Sequence, residues 1–225
     1  MTKIFYIGDS TVQRNFIDTH PQVGMSQVLE LFLRPDVRVE PHGKNGRSTK
    51  SFLDEGRFEP VRREMGEGDF LFIQFGHNDE KADPARHTDP RGSYQENLRF
   101  FISEARSRGA HPVLITPIAR RLFDADGSFR YGSHGEYPEA LRELGKALDV
   151  PVADLTALTE AGIAALGDEE SKPLYVWPKD NTHLTYNGAV WMLSFLAAEL
   201  ERFGAPWSEL LYRPEPEEPV NGDVS

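Results

Sequence analysis

Five short apolar runs, separated by longer amphipathic stretches, constrain this chain more than any other feature. They lie at 4–7, 37–40, 70–75, 113–116 and 150–154. Several are almost continuously apolar, as a strand covered on both faces must be and a strand with one wet face need not be. Between and after them, apolar residues return at helical spacing. The stretch 23–33 carries Val28, Leu29, Leu31, Phe32 and Leu33; 93–108 carries Leu98, Phe101, Ile102 and Ala105. The stretch 136–148 carries Ala140, Leu141, Leu144 and Leu148, and 185–203 carries Val190, Leu193, Ala197 and Leu200. This rhythm predicts an α/β fold with a central parallel sheet of about five strands and helices on both faces. The 225 residues suit one such domain, predicted over 1–212. The end of the chain, RPEPEEPVNGDVS at 213–225, is rich in Pro and Glu and is predicted to be a loose extension.

Composition removes several chemistries. There are no cysteines, so disulfides, thiolate metal sites and cysteine nucleophiles are excluded. The formal net charge of −11 argues against nucleic acid and anionic membranes as partners. No apolar run approaches the roughly 20 residues of a membrane span. The first residues show no basic region, apolar stretch or cleavage site of an export signal, so a cytoplasmic location is expected.

In an open parallel sheet, ligands bind beyond the carboxyl ends of the strands. The first run ends in GDST, with Ser10; the second is followed by GKNGRST, with Gly46. The third ends in QFGHND, with His77 and Asn78, the fourth in TPIARR, and WPKDNTHLT precedes the last helix. Each allows a plain reading and a chemical one. Ser10 can cap a turn or attack a carbonyl; Gly-x-Ser-x-Gly, the elbow of other hydrolases, is absent. Gly46 can serve a loop or bring an N–H close to a substrate oxygen, and the segment lacks the Gly-Lys-Ser/Thr ending of a phosphate loop. Asn78 can make a turn or offer its amide to an oxyanion. Asp180 and His183, three apart before a helix, can decorate its start or pair so that the carboxylate orients the imidazole.

Taken together, GDST, NGRS, GHND and DNTH occur in the block order of the SGNH (GDSL-like) hydrolase superfamily, which this chain closely resembles from residue 4 to about 203. Within it, IGDSTV, NGRSTKSF, QFGHND, TPIARRLFD, VADLTALT and DNTHLTYNGA are most similar to rhamnogalacturonan acetylesterases. The resemblance implies a three-layer α/β/α, flavodoxin-like sandwich. It implies Ser10 as nucleophile, His183 as base and acid, and Asp180 as its orienting carboxylate. It also implies an oxyanion hole of the Ser10 N–H, the Gly46 N–H and the Asn78 side chain. The expected substrate is an acetylated oligosaccharide or polysaccharide, rhamnogalacturonan first and acetylxylan oligomers second. No metal or organic cofactor is expected.

Sugar contacts are expected from Trp177 by stacking, and from Arg120 and Arg121 by binding a uronate carboxylate. His77 is a further candidate. Core packing for Trp177, and ion pairing of Arg120, Arg121 and Arg130 with Asp124 and Asp126, are the plain alternatives. Trp191, Phe195, Phe100 and Phe101 are expected in the core. His20, His42, His87, His111 and His134 suggest surface or loop roles. Two other function classes remain: a metal-dependent phosphoesterase using His77, Asp79, Asp180 and His183, and a non-catalytic glycan-binding module.

Overall fold

The computed structural model describes residues 1–214. The five strands are β1 (Thr2–Gly8), β2 (Val37–Pro41), β3 (Phe70–Gln74), β4 (His111–Ile115) and β5 (Val152–Ala153). They form one sheet in the order β2-β1-β3-β4-β5, and every pairing is parallel. The helices are α1 (Met25–Val28), α2 (Thr49–Asp54), α3 (Phe58–Glu64), α4 (Gln95–Ser107), α5 (Tyr137–Leu148), α6 (Leu155–Ser171) and α7 (Tyr186–Phe203).

Alternate residues of the strands feed two cores. Ile4, Tyr6, Phe70, Phe72, Val113 and Ile115 face α1, α6 and α7. Phe5, Ile7, Leu71, Ile73 and Leu114 face α2, α3, α4 and α5. This two-sided burial is why the central runs are almost continuously apolar, whereas the edge strand β2 alternates Val37, Arg38, Val39, Glu40; the two cores produce the three layers.

Three elements differ from expectation. The run 150–154 yields only Val152–Ala153 as strand, because Pro151 has no N–H to donate and Asp154 turns to cap α6 through Ala157 N–H. The stretch 23–33 divides into one turn of α1 and a 3₁₀ turn over Leu29–Phe32, where Val28 leaves helical geometry at φ −121°, ψ 2°. Helix α6 was not anticipated; its Ala- and Thr-rich face is short on large apolar side chains, and it bends at Gly167 (φ 81°). Trp191 and Phe195 pack edge to face against the α6–α7 core, and Phe101 is fully buried, whereas Phe100 is partly exposed. Residues 215–225 of the expected extension lie outside the described residues; Arg213, just before them, pairs with Glu201 at 2.9 Å. Among the described residues no helix is long and apolar enough to cross a membrane.

The sheet order positions the site. From β1 the chain moves first to β2 on one side, then to β3 on the other, so a switch point opens at the carboxyl ends of β1 and β3. The pairing of Gly8 with Gln74 sets those ends level. Lys44 N–H donates to the Gly8 carbonyl at 3.0 Å, strapping the loop after β2 against the same edge.

Candidate active site

Ser10 leaves the end of β1 in a tight turn that Asp9 holds. The Asp9 carboxylate accepts from the Thr11 N–H at 2.9 Å and the Thr11 hydroxyl at 2.8 Å, and the Asp9 carbonyl accepts from Val12 and Gln13. The cap-like work is therefore done by Asp9. Ser10 is left as a nearly buried side chain at the edge of a cleft.

That cleft has a volume of about 270 Å³. It gathers Ser10, Gly46, Asn78, Asp180 and His183, together with His77 and Arg120, from five separate loops. Lys81, Asn45 and Thr182 complete it.

Asp180 and His183 sit on a short strap ahead of α7. His183 Nδ1 lies 2.7 Å from Asp180 Oδ2. The other carboxylate oxygen accepts from the backbone N–H of Thr182 at 2.6 Å and of His183 at 2.8 Å. Partial burial pushes the Asp180 carboxyl up, but the His183 backbone, the His183 ring and the Thr182 N–H together outweigh it and hold the group below its ordinary range. A carboxylate can only accept, so Nδ1 carries a proton and Nε2 is the nitrogen left for proton transfer. The strap is fastened by Val176 N–H to the His183 carbonyl at 2.9 Å, by a bridge between Tyr175 and Leu184, and by Arg121 N–H to the Asn181 carbonyl at 2.8 Å.

Opposite, Gly46 has φ +76°, a conformation that favours glycine, and a side chain there would project into open space. Among the described residues, neither the Gly46 N–H nor the Ser10 N–H is taken by another backbone group. Asn78 Nδ2 donates one hydrogen to the Arg47 carbonyl at 3.1 Å and retains a second. Three donors are thus left on residues that border the cleft.

The expected sugar contacts fare unevenly. Arg120 borders the cleft, but it forms an ion pair with Glu80 and donates to the Ser133 carbonyl at 3.0 Å. Arg121 does not border it: the residue is 3 % exposed, paired with Asp168 and bonded to Ser171 Oγ at 3.0 Å. Its guanidinium stacks on Trp177 at 4.4 Å, so Trp177 is half-exposed yet occupied, and it too is not among the residues bordering the cleft. Arg130 pairs with Asp124 at the surface. All three arginines are paired with carboxylates, but only Arg130 with an expected partner, Asp124; Arg120 uses Glu80 and Arg121 uses Asp168 instead.

His77 borders the cleft, but both its ring nitrogens are buried without hydrogen-bond partners. Burial, followed by the neighbouring positive groups at His134 and Arg120, pushes its pKa well down and keeps it neutral. His134, expected at the surface, is buried instead: its Nε2 lies 2.8 Å from the Ile118 carbonyl and its Nδ1 3.2 Å from Glu80. His42 is half-buried against Phe5, and His111 lies in β4 beside Phe70.

Three of the four residues of the metal reading, His77, Asp180 and His183, border one cleft, but the four do not form a ligand set. Asp79 spends its carboxylate on Thr49 and Thr88, and Asp180 on His183. Among the described residues no three His, Asp or Glu side chains meet in a way that would hold a metal ion. Lys81 and Arg86 are residues around the site that motif reading passed over, and Asp79 was read there only as a metal ligand. The signal for Arg86 was its i, i+3 spacing from Asp83 just after GHND, which reads as an ordinary surface pair.

Comparison with known proteins agrees with this arrangement. The chain matches the GDSL-like Lipase/Acylhydrolase family over residues 6–190. It is 40 % identical over 230 aligned residues to rhamnogalacturonan acetylesterase RhgT of Bacillus subtilis (strain 168), covering 97 % of each chain. Among solved structures it resembles the Bacillus subtilis protein YxiM, with a TM-score of 0.79 at 23 % identity over 92 % of this chain and 58 % of that one. It also resembles Axe2, an acetylxylan esterase from Geobacillus stearothermophilus, with a TM-score of 0.67 at 17 % identity over 92 % and 95 % of the two chains. A matched family profile that spans all five loops of the cleft makes this chain a member of the GDSL-like lipase/acylhydrolase family.

Proposed function

We propose that the chain is a serine acetylesterase that removes O-acetyl groups from a plant cell-wall-type glycan or its oligosaccharides, rhamnogalacturonan in particular. The observation that carries this reading is the Asp180–His183 pair bordering the same cleft as Ser10, together with the N–H groups of Ser10 and Gly46 and the second Nδ2–H of Asn78, which no hydrogen bond engages among the described residues. The 40 % identity to RhgT supports the choice of glycan.

In this reading, His183 Nε2 takes the proton from Ser10 Oγ as the oxygen attacks the acetyl carbonyl. Asp180 holds the ring in the tautomer this requires and stabilises the imidazolium that forms. The carbonyl oxygen becomes an oxyanion facing the N–H groups of Ser10 and Gly46 and the free Nδ2–H of Asn78. Removing one such donor costs about 2.7–4 kcal/mol of barrier in comparable sites. The imidazolium then protonates the departing sugar hydroxyl. Water, deprotonated by the same nitrogen, attacks the acetyl-Ser10 ester and releases acetate.

Acetate release from acetylated rhamnogalacturonan oligomers and acetylated xylan oligomers tests the substrate. The expected result is a higher kcat/KM on the rhamnogalacturonan oligomers. A preference for xylan would move the assignment to another acetylated glycan, and failure to release acetate from either would overturn the esterase reading.

A further inference from the structure

Asn78 is held from two sides. Its Nδ2 donates to the Arg47 carbonyl at 3.1 Å, and its Oδ1 accepts from Arg86 Nη1 at 3.3 Å. Both partners are one-way: a carbonyl only accepts and a guanidinium only donates. Turning the amide over would set oxygen against oxygen and NH₂ against guanidinium, replacing two attractions with two repulsions. The pair therefore selects one of the two amide orientations, the one that leaves the second Nδ2–H uncommitted beside Ser10 and Gly46.

Arg86 is itself anchored. Its Nε donates to Asp83 Oδ2 at 2.9 Å, and Asp83 Oδ1 accepts the Ala85 N–H at 3.0 Å. The Ala85 N–H and the Arg86 guanidinium hold the Asp83 carboxyl below its ordinary range, so the anchor stays charged at neutral pH. Arg86 does not border the cleft of Ser10 and His183. It lines a shallow hollow on the far side of Gly46 and reaches the site only through the Asn78 amide. A cation on the amide oxygen also draws electron density from the nitrogen, making the remaining N–H a stronger donor.

We propose that Arg86 is a positioning residue for the oxyanion donor: its guanidinium locks the Asn78 side chain in the donating orientation and strengthens its free N–H. This rests on the proposed role of Asn78 in the hole.

A double-mutant cycle on 4-nitrophenyl acetate, with Asn78→Ala, Arg86→Ala, Arg86→Lys and the Asn78→Ala/Arg86→Ala pair, tests it. Loss of one hydrogen bond to a charged partner corresponds to a fall in kcat on the order of tenfold for Arg86→Ala, with KM changed by less than about twofold. Arg86→Lys restores part of the loss, because an ammonium can still donate to Oδ1. In the Asn78→Ala background, Arg86→Ala has no further effect. A wild-type kcat in Arg86→Ala, or the same loss with and without Asn78, would overturn the positioning role while leaving the esterase reading intact. If Asn78→Ala alone left kcat unchanged, the oxyanion assignment of Asn78 would fall, and this role of Arg86 with it. Circular dichroism of each variant separates these outcomes from unfolding; if Arg86→Ala unfolds, the Arg86→Lys rate decides, a wild-type-like KM with reduced kcat supporting the role and an unchanged kcat opposing it.

Discussion

Asp79 is fully buried, yet its carboxylate joins two loops of the site. It accepts from Thr49 N–H at 3.0 Å, Thr49 Oγ1 at 2.6 Å and Thr88 Oγ1 at 3.1 Å. Thr49 follows the Gly46 loop, and Asp79 itself follows Asn78. Burial pushes its pKa up to about 7 against the lowering effect of the Thr49 and Thr88 bonds. The sign of the consequence is definite. Between the ordinary value of 3.8 and about 7, the folded chain holds a proton here that the unfolded chain has lost. This group therefore makes stability fall as pH rises through that window, and its contribution levels off above it. In Asp79→Asn the proton uptake is gone. The stability difference between wild type and variant, from urea midpoints at about pH 4.5 and about pH 8, is expected to shift in favour of the variant at the higher pH. A pH-independent difference would contradict the assignment. At this scale the sequence picked out Ser10, Asn78, Asp180 and His183, which the fold brings to one cleft, because residues of those types stand together in short motifs. It concealed Arg86, and it offered Asp79 only as a metal ligand, because what each one bonds depends on which group it reaches after the loops have closed. Of the two arginines expected to bind uronate, Arg120 borders the cleft and Arg121 does not; their partners Glu80 and Asp168 are distant in sequence, so neither pairing could be read from a motif.

At the scale of elements, the strap before α7 depends on an unusually close contact. Thr185 caps α7 through the Gly188 N–H at 3.2 Å, donates its hydroxyl to the Pro173 carbonyl at 2.7 Å, and bonds Leu174 through its own N–H at 3.1 Å. A side chain on Gly188 would place its Cβ 1.8 Å from the Leu174 carbonyl oxygen, so backbone must move to accept it. Gly188→Ala is expected to cost about 1–3 kcal/mol of stability. Because the displaced strap carries Asp180 and His183, kcat should fall as well. Thermal melting together with 4-nitrophenyl acetate turnover checks both effects; a wild-type melting temperature would show that the contact is not tight. The strands were the elements most legible in sequence, since burial on both faces leaves continuous apolar runs. Helix α6 and the broken α1 were the least legible. Their pattern is decided by what packs on them, as where Gly162 sits against the Trp191 ring, rather than by a clean apolar stripe.

At the scale of the whole molecule, the site exists only because a parallel sheet brings distant segments to one edge. The order β2-β1-β3-β4-β5 puts the switch point where β1 releases Ser10 and β3 releases Asn78, and α7 delivers the Asp180–His183 strap to the same place. The gathering of these segments at one edge followed from the spacing of apolar runs and the general rule for strand ends, whereas the strand order itself is supplied by the structure. The net charge of −11 surrounds a cleft that holds Lys81 and Arg120, so the positive side chains nearest the substrate sit in an otherwise acidic molecule. The account stands or falls on Ser10 as the nucleophile that this convergence serves. Its most direct test is the turnover of 4-nitrophenyl acetate by Ser10→Ala, with circular dichroism and melting temperature confirming the wild-type fold. The account predicts turnover indistinguishable from the uncatalysed reaction; wild-type-like turnover in a folded Ser10→Ala protein would contradict it.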